Sequence, residues 1–158
     1  MSKVIFAAYG SLLDAALMEQ ILGKTPTKFE GSHAKILDYR LHFDTFATIV
    51  PDVTDYVPVG LWVVDEEDLP KLDAYENCPV LYTRTTVRVW YEVNHGGAQV
   101  INHCDAEVYI MTASARESVG EEQAPAKYYI DQMANGYREF GLDKYKLIRA
   151  YNEAINRG

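Results

Sequence analysis

From residue 29 to residue 112 the chain consists largely of short runs rich in β-branched and aromatic side chains. This strand-dense middle restricts the fold more than any other feature. AKILDYRLHF (34–43), FATIVP (46–51) and VPVGLWVV (57–64) follow one another, with Pro51 and Pro58 as punctuation. LYTRTTVRVWYEV (81–93) predicts a long strand, His95-Gly96-Gly97 interrupts it, and AEVYIMT (106–112) predicts another. A further strand stands apart near the N-terminus, where the unbroken apolar run at 3–8 has the character of a fully buried strand.

Helical signals bracket this middle. DAALMEQILG (14–23) places Leu17, Ile21 and Leu22 at helical spacing, with Gly23 as the stop. DEEDLPKLDAYE (65–76) predicts a short helix. Pro70 has no N–H and suits a first turn, which puts the cap at Glu67 or Asp68. Toward the C-terminus, APAKYYIDQMANGYREFG opens near Pro125 and stops at Gly141. Asp143 then caps a last helix through Ile155 that carries Leu147, Tyr151 and Ala154 on one face. No repeat, linker or low-complexity tract divides the chain. The expectation is one α+β domain over residues 1–158, long enough to bury a core without staples.

Composition narrows the function. A net charge of −8 argues against nucleic acid, because phosphate binding needs clustered Lys and Arg. The same field repels anionic ligands at long range, so any anion site must be local. No apolar stretch reaches the length of a membrane span, and the start lacks a signal-peptide pattern. A cytoplasmic protein with no membrane contact is expected. Cys78 and Cys104 form no CxxC and no disulfide framework. His95, His103, Cys104 and Asp105 lie close in sequence, but their spacing matches no zinc pattern, so no metal is assigned.

Tyr9-Gly10-Ser11 ends the first strand, and a glycine there permits positive φ or close approach of a ligand to the backbone. Free N–H groups at a strand-to-helix corner favour a carboxylate or an oxyanion. Three residues equally suit a tight corner in which Ser11 caps the next helix. Glu76, in LDAYENCP (72–79), falls where Asn77 and Pro79 end a helix. A carboxylate at the negative end of a helix, buried among aromatics, would have a raised pKa suited to proton transfer. A solvated glutamate is the bland alternative, with Asp73 a similar bystander. Tyr82, Tyr109 and Tyr129 come from three separate elements and suit either a pocket wall or half-buried packing.

Taken in order, these pieces resemble the gamma-glutamylcyclotransferase-like family, including its gamma-glutamylamine cyclotransferases. The resemblance runs through IFAAYGSLL, GLWVV, DLPKLDAYE, LYTRTTVRV, EVYIMT and PAKYYIDQMANGYREFGL, nearly the whole chain. It implies a small mixed or antiparallel barrel-like sheet flanked by helices. It places the family's substrate-cradling loop on Tyr9, Gly10, Ser11 and Leu12, and its acid/base glutamate on Glu76. Pocket tyrosines fall on Tyr82, Tyr109 and Tyr129, with Tyr128 competing for the last position. Leu12 stands where many members carry asparagine. Asn77 stands where glycine is common, and asparagine tolerates the left-handed conformation such a turn needs.

The implied reaction is cyclisation of a gamma-glutamyl amine or peptide to 5-oxoproline, with release of the amine or amino acid and no metal or organic cofactor. The leaving group and the oligomeric state stay open at this level. Two alternatives compete: a non-catalytic small-molecule binding module of the same fold, and a hydrolase or transferase using Ser11 or Cys78 as nucleophile.

Overall fold

The apolar run at the N-terminus becomes an interior strand, β1 (Lys3–Ala8), with Phe6, Ala7 and Ala8 all buried. The computed structural model describes residues 2–119 and 124–157. After β1 come a 3₁₀ turn (Ser11–Leu13), α1 (Ala15–Leu22), the short β2 (Thr27–Lys28), β3 (Ser32–Asp44), β4 (Phe46–Pro58) and β5 (Gly60–Asp65). A second 3₁₀ turn (Glu66–Asp68) leads into α2 (Leu69–Tyr75). The long strands β6 (Tyr82–His95) and β7 (Ala98–Met111) precede α3 (Ala113–Val119), α4 (Lys127–Phe140) and α5 (Lys144–Arg157).

The strands make one seven-stranded sheet in the order β2-β5-β1-β7-β6-β3-β4. All pairings are antiparallel except β1 with β7, which run parallel through Phe6 opposite Glu107. The expected α+β class, a mixed sheet flanked by helices, is what forms. Its curl is visible in bonds that skip the ladder order. The Met111 N–H donates to Thr48 Oγ1 (3.0 Å) and the Tyr82 hydroxyl donates to the Ala47 carbonyl (2.6 Å), which ties edge strand β4 back to β6 and β7. The sheet therefore closes toward a barrel, as the resemblance implies.

The expected helix ends are found. Gly23 and Gly141 are left-handed at φ 75° and 66° and stop α1 and α4, and Pro70 sits in the first turn of α2 behind Asp68. Asp143 accepts from the Tyr145 N–H (3.0 Å) ahead of α5, whose buried face is Leu147, Ala150 and Ala154, with Tyr151 packed beside it.

Several elements differ from expectation. β4 runs through Pro51 to Pro58, so Pro51 is no break and residues 57–58 belong to β4, with β5 starting at Gly60; an edge strand tolerates proline because it lacks a ladder partner on one side. The short β2 was not expected. β7 starts at Ala98 rather than 106, pairing back to His95 across a two-residue turn at Gly96-Gly97 (φ 60° and 87°). The outer half of β7, residues 98–103, is exposed on both faces, so it lacks the alternation that marks a half-buried strand. Among the side chains of α3 that the structure describes, Ala115 alone is buried, so the helix has no periodic signal. On the ribbon, the His103 ring packs against Trp90 (4.7 Å between centroids). Among the described residues no group of His, Cys, Asp and Glu converges for a metal. No helix among them is long and apolar enough to cross a membrane.

Because β1 and β7 are parallel, their C-terminal ends lie together, and antiparallel β6 begins there with Tyr82 opposite Met111. That end of the sheet receives the loop leaving β1. It is where separate sequence features can meet.

Candidate active site

The loop after β1 is held from three sides. The Leu13 N–H closes the turn on the Gly10 carbonyl (3.1 Å), and Trp62 Nε1 donates to the Leu12 carbonyl (2.9 Å). From α4, Gly136 lies against Leu13 so closely that an added Cβ would sit 2.3 Å from Leu13 Cβ. The amides of Ser11 and Leu12 open the turn, where backbone donors have no intrahelical acceptor. Gly10 is not left-handed (φ −119°), so close approach is its use. A Cβ there would stand 3.2 Å from the Tyr129 hydroxyl.

Ser11 is not a helix cap. Asp14 caps α1 through the Ala16 N–H (3.0 Å), while its other oxygen accepts from Gln132 Nε2 (3.0 Å). The Ser11 hydroxyl instead lies 3.0 Å from the Tyr75 hydroxyl, on the last residue of α2.

Glu76 follows directly, and Asn77 turns the chain away in the left-handed conformation (φ 51°) that asparagine tolerates. The Val80 and Leu81 amides donate to the Asn77 carbonyl at 3.0 and 2.8 Å, which fixes that turn. Glu76 is partly buried, and its carboxyl makes no hydrogen bond or ion pair among the described residues. Burial alone pushes its pKa up from 4.5 to about 7.

The phenols around it are already engaged. Tyr82 donates to the Ala47 carbonyl, and the Tyr129 hydroxyl accepts from the Ala47 N–H (3.2 Å), so both grip one residue of β4. Tyr9 donates to the Tyr109 carbonyl (2.5 Å). The Tyr109 hydroxyl donates to Asp73 Oδ1 (2.6 Å), and Arg84 Nε reaches the same oxygen (2.8 Å). Burial raises the pKa of all four phenols, which stay neutral at ordinary pH. Burial also pushes Asp73 upward, but the Arg84 and Tyr109 hydrogen bonds outweigh it and keep that carboxyl below its usual range.

The residues that the resemblance placed in the site line one chamber of about 30 Å³: Tyr9 to Leu12, Glu76, Tyr82, Tyr109 and Tyr129. Tyr129, not Tyr128, faces it. Tyr128 is 72% exposed and borders a wider groove of about 260 Å³ that shares Ser11, Glu76, Tyr82 and Tyr129 with the chamber. Asp73, Tyr75, Ala47 and Gln132 were missed. Asp73 had a legible signal, since it sits three residues before Glu76 and such pairs share a helix face.

Residues 6–131 match the family described as gamma-glutamyl cyclotransferase, AIG2-like. The chain belongs to that family. Among solved structures, it resembles the human uncharacterized protein loc79017 at 22% identity and a TM-score of 0.72, over 92% of this chain and 85% of that one. A structure described as a gamma-glutamyl cyclotransferase matches at 20% identity and 0.72, over 99% of this chain and 100% of the other. YkqA from Bacillus subtilis matches at 19% identity and 0.68, over 96% of this chain but 55% of that one. At such identities the likeness shows a shared cyclotransferase fold. No curated protein sequence matches.

Proposed function

We propose that this cyclotransferase-family protein converts a gamma-glutamyl amine or peptide to 5-oxoproline and releases the amine, with Glu76 as general acid and base. The observation that carries the reading is a carboxyl without a hydrogen-bond partner among the described residues, raised to about 7, in a chamber walled by neutral phenols beside the Tyr9–Leu12 loop.

A gamma-glutamyl compound contains its own nucleophile, so the protein need only fold the substrate and manage protons. The substrate α-ammonium gives a proton to the Glu76 carboxylate, and the freed nitrogen attacks the γ-carbonyl carbon. A ring C–N bond forms, and the carbonyl oxygen takes up negative charge. Backbone N–H groups at Gly10 to Leu12 stabilise that oxygen or the substrate carboxylate. Glu76 then passes its proton to the departing nitrogen as the original C–N bond breaks. The ring nitrogen loses a second proton, which the departing amine gains, so the overall charge balances. A group with a pKa near 7 serves both directions at neutral pH.

The presence of Glu76 in the chamber counts against a binding module without turnover. The Ser11 hydroxyl is paired with the Tyr75 phenol rather than with a basic side chain, which counts against Ser11 as a nucleophile. The test is a screen over gamma-glutamyl amines, amino acids and peptides with 5-oxoproline as the readout. Release from at least one of them is expected. No release across the panel overturns the proposal.

A further inference from the structure

The chamber and the wider groove share Ser11, Glu76, Tyr82 and Tyr129, so the groove is the adjoining space for the leaving group of a substrate cyclised beside Glu76. Its outer walls are rings. Phe46, Tyr75 and Tyr128 are 37%, 43% and 72% exposed and border this one groove together with Leu81. The Phe46 ring meets Tyr129 edge-on at 5.6 Å, which sets Phe46 as a wall continuous with the chamber. The other two come from separate elements, the end of α2 and the start of α4. A trio of large aromatic surfaces left in water around one opening suits an aromatic or aliphatic body that would cover them.

The polar groups of the groove exclude one large class of leaving group. None of the described residues lining it is Lys, Arg or His. Gln132 donates its side-chain amide to Asp14, and the Tyr75 hydroxyl is paired with Ser11. Asp14 lies within electrostatic reach of Tyr75, and Glu76 adds a second acid at the floor. A carboxylate on the leaving amine would meet acids and no cation, inside a protein of net charge −8.

We infer that the groove is a leaving-group subsite for an arylalkylamine without a carboxylate, with Phe46, Tyr75 and Tyr128 as the residues that determine specificity. This rests on the cyclotransferase reading of the chamber and adds the chemistry of the amine. The ring of the amine packs against the tyrosine and phenylalanine walls, while its nitrogen, still part of the γ-amide, lies next to Glu76. Free amino acids and peptides are then poor leaving groups.

The experiment compares four γ-glutamyl conjugates: of phenethylamine, of phenylalanine, of ethylamine and of 1,4-diaminobutane. Phenylalanine differs from phenethylamine only by the carboxylate, and ethylamine only by the ring. The diamine asks whether the rings instead select a cation. Binding is measured by calorimetry to the wild type and to Glu76→Gln, and kcat/KM by 5-oxoproline release. The phenethylamide is expected to bind about tenfold tighter than the other three and to show the highest kcat/KM. Tyr128→Ala, at an exposed site and checked by thermal melting, is expected to bring the phenethylamide down to the level of the ethylamide. Equal binding of all four, binding of none, or preference for the phenylalanine or diamine conjugate overturns the inference. Absence of 5-oxoproline with the expected binding order would instead sink the cyclotransferase reading and leave the subsite standing.

Discussion

Replacing Glu76 by glutamine should move activity and stability in opposite directions. A carboxyl raised from 4.5 to about 7 binds its proton more tightly in the folded protein than in the unfolded chain. The sign follows from linkage: stability from this group is fully present below about 4.5 and is lost as pH rises through about 7. At 1.36 kcal/mol per pKa unit, the ionised folded protein carries a cost of about 3 kcal/mol at most. Glu76 is only partly buried, so solvent relaxation reduces this to about 1–2 kcal/mol. Glutamine keeps the shape and never ionises. Glu76→Gln should therefore melt a few degrees higher than the wild type at pH 8.5, roughly 2–4 °C per kcal/mol, with the difference shrinking toward pH 5. It should also lose on the order of 10²- to 10⁴-fold in kcat, since it cannot carry a proton. The assay pairs 5-oxoproline release with thermal melts across that pH range. In the wild type, kcat/KM should rise through about pH 7 as the carboxylate form appears. Unchanged release by the variant would end the catalytic role. Melting curves that stay parallel at every pH would show that the carboxyl is solvated.

Gly136→Ala tests the close contact between α4 and the loop. At an open helix site alanine would stabilise by about 1 kcal/mol, but a Cβ 2.3 Å from Leu13 Cβ should instead destabilise by about 1–3 kcal/mol and raise KM; a higher melting temperature refutes the contact. Tyr82→Phe leaves the buried Ala47 carbonyl without its donor and should cost about 1–3 kcal/mol in chemical denaturation, and a loss within error would mean that water replaces the hydroxyl. Asp73→Asn weakens the hold on both Tyr109 and Arg84, and the misplaced wall should cost about 10- to 100-fold in kcat/KM, with wild-type kinetics as the contrary result.

The parts of the site legible in the sequence were those whose meaning is local. A strand ending in Tyr-Gly-Ser, and a glutamate cut off from further helix by Asn77 and Pro79, can be read within a dozen residues. The spacing of Asp73 from Glu76 was legible, but its role was not, because Arg84 and Tyr109, the partners that give it one, arrive from β6 and β7. The assignment of Tyr129 rather than Tyr128 to the pocket rested on the resemblance, because the helical pattern left the two open. Adjacent helical residues are turned by about 100° from one another, and only the packing of α4 decides which is inside. Here both matter: Tyr129 walls the chamber and Tyr128 borders the groove. The sequence left the tyrosines as either pocket wall or half-buried packing, and the structure gives them both uses. Tyr9, Tyr82, Tyr109 and Tyr129 all bond to protein atoms, and Ser11 is taken up by Tyr75. They seal the chamber and hold β4, β7 and α2 around it. With those hydroxyls engaged, Glu76 is the ionisable side chain of the chamber that has no hydrogen-bond or ion-pair partner among the described residues, and the amides opening the Ser11–Leu13 turn lie at a turn start, where donors lack intrahelical acceptors. An acid of adjustable charge beside fixed donors is what an intramolecular acyl transfer needs, since the substrate brings its own nucleophile and only its protons and its oxyanion require attention.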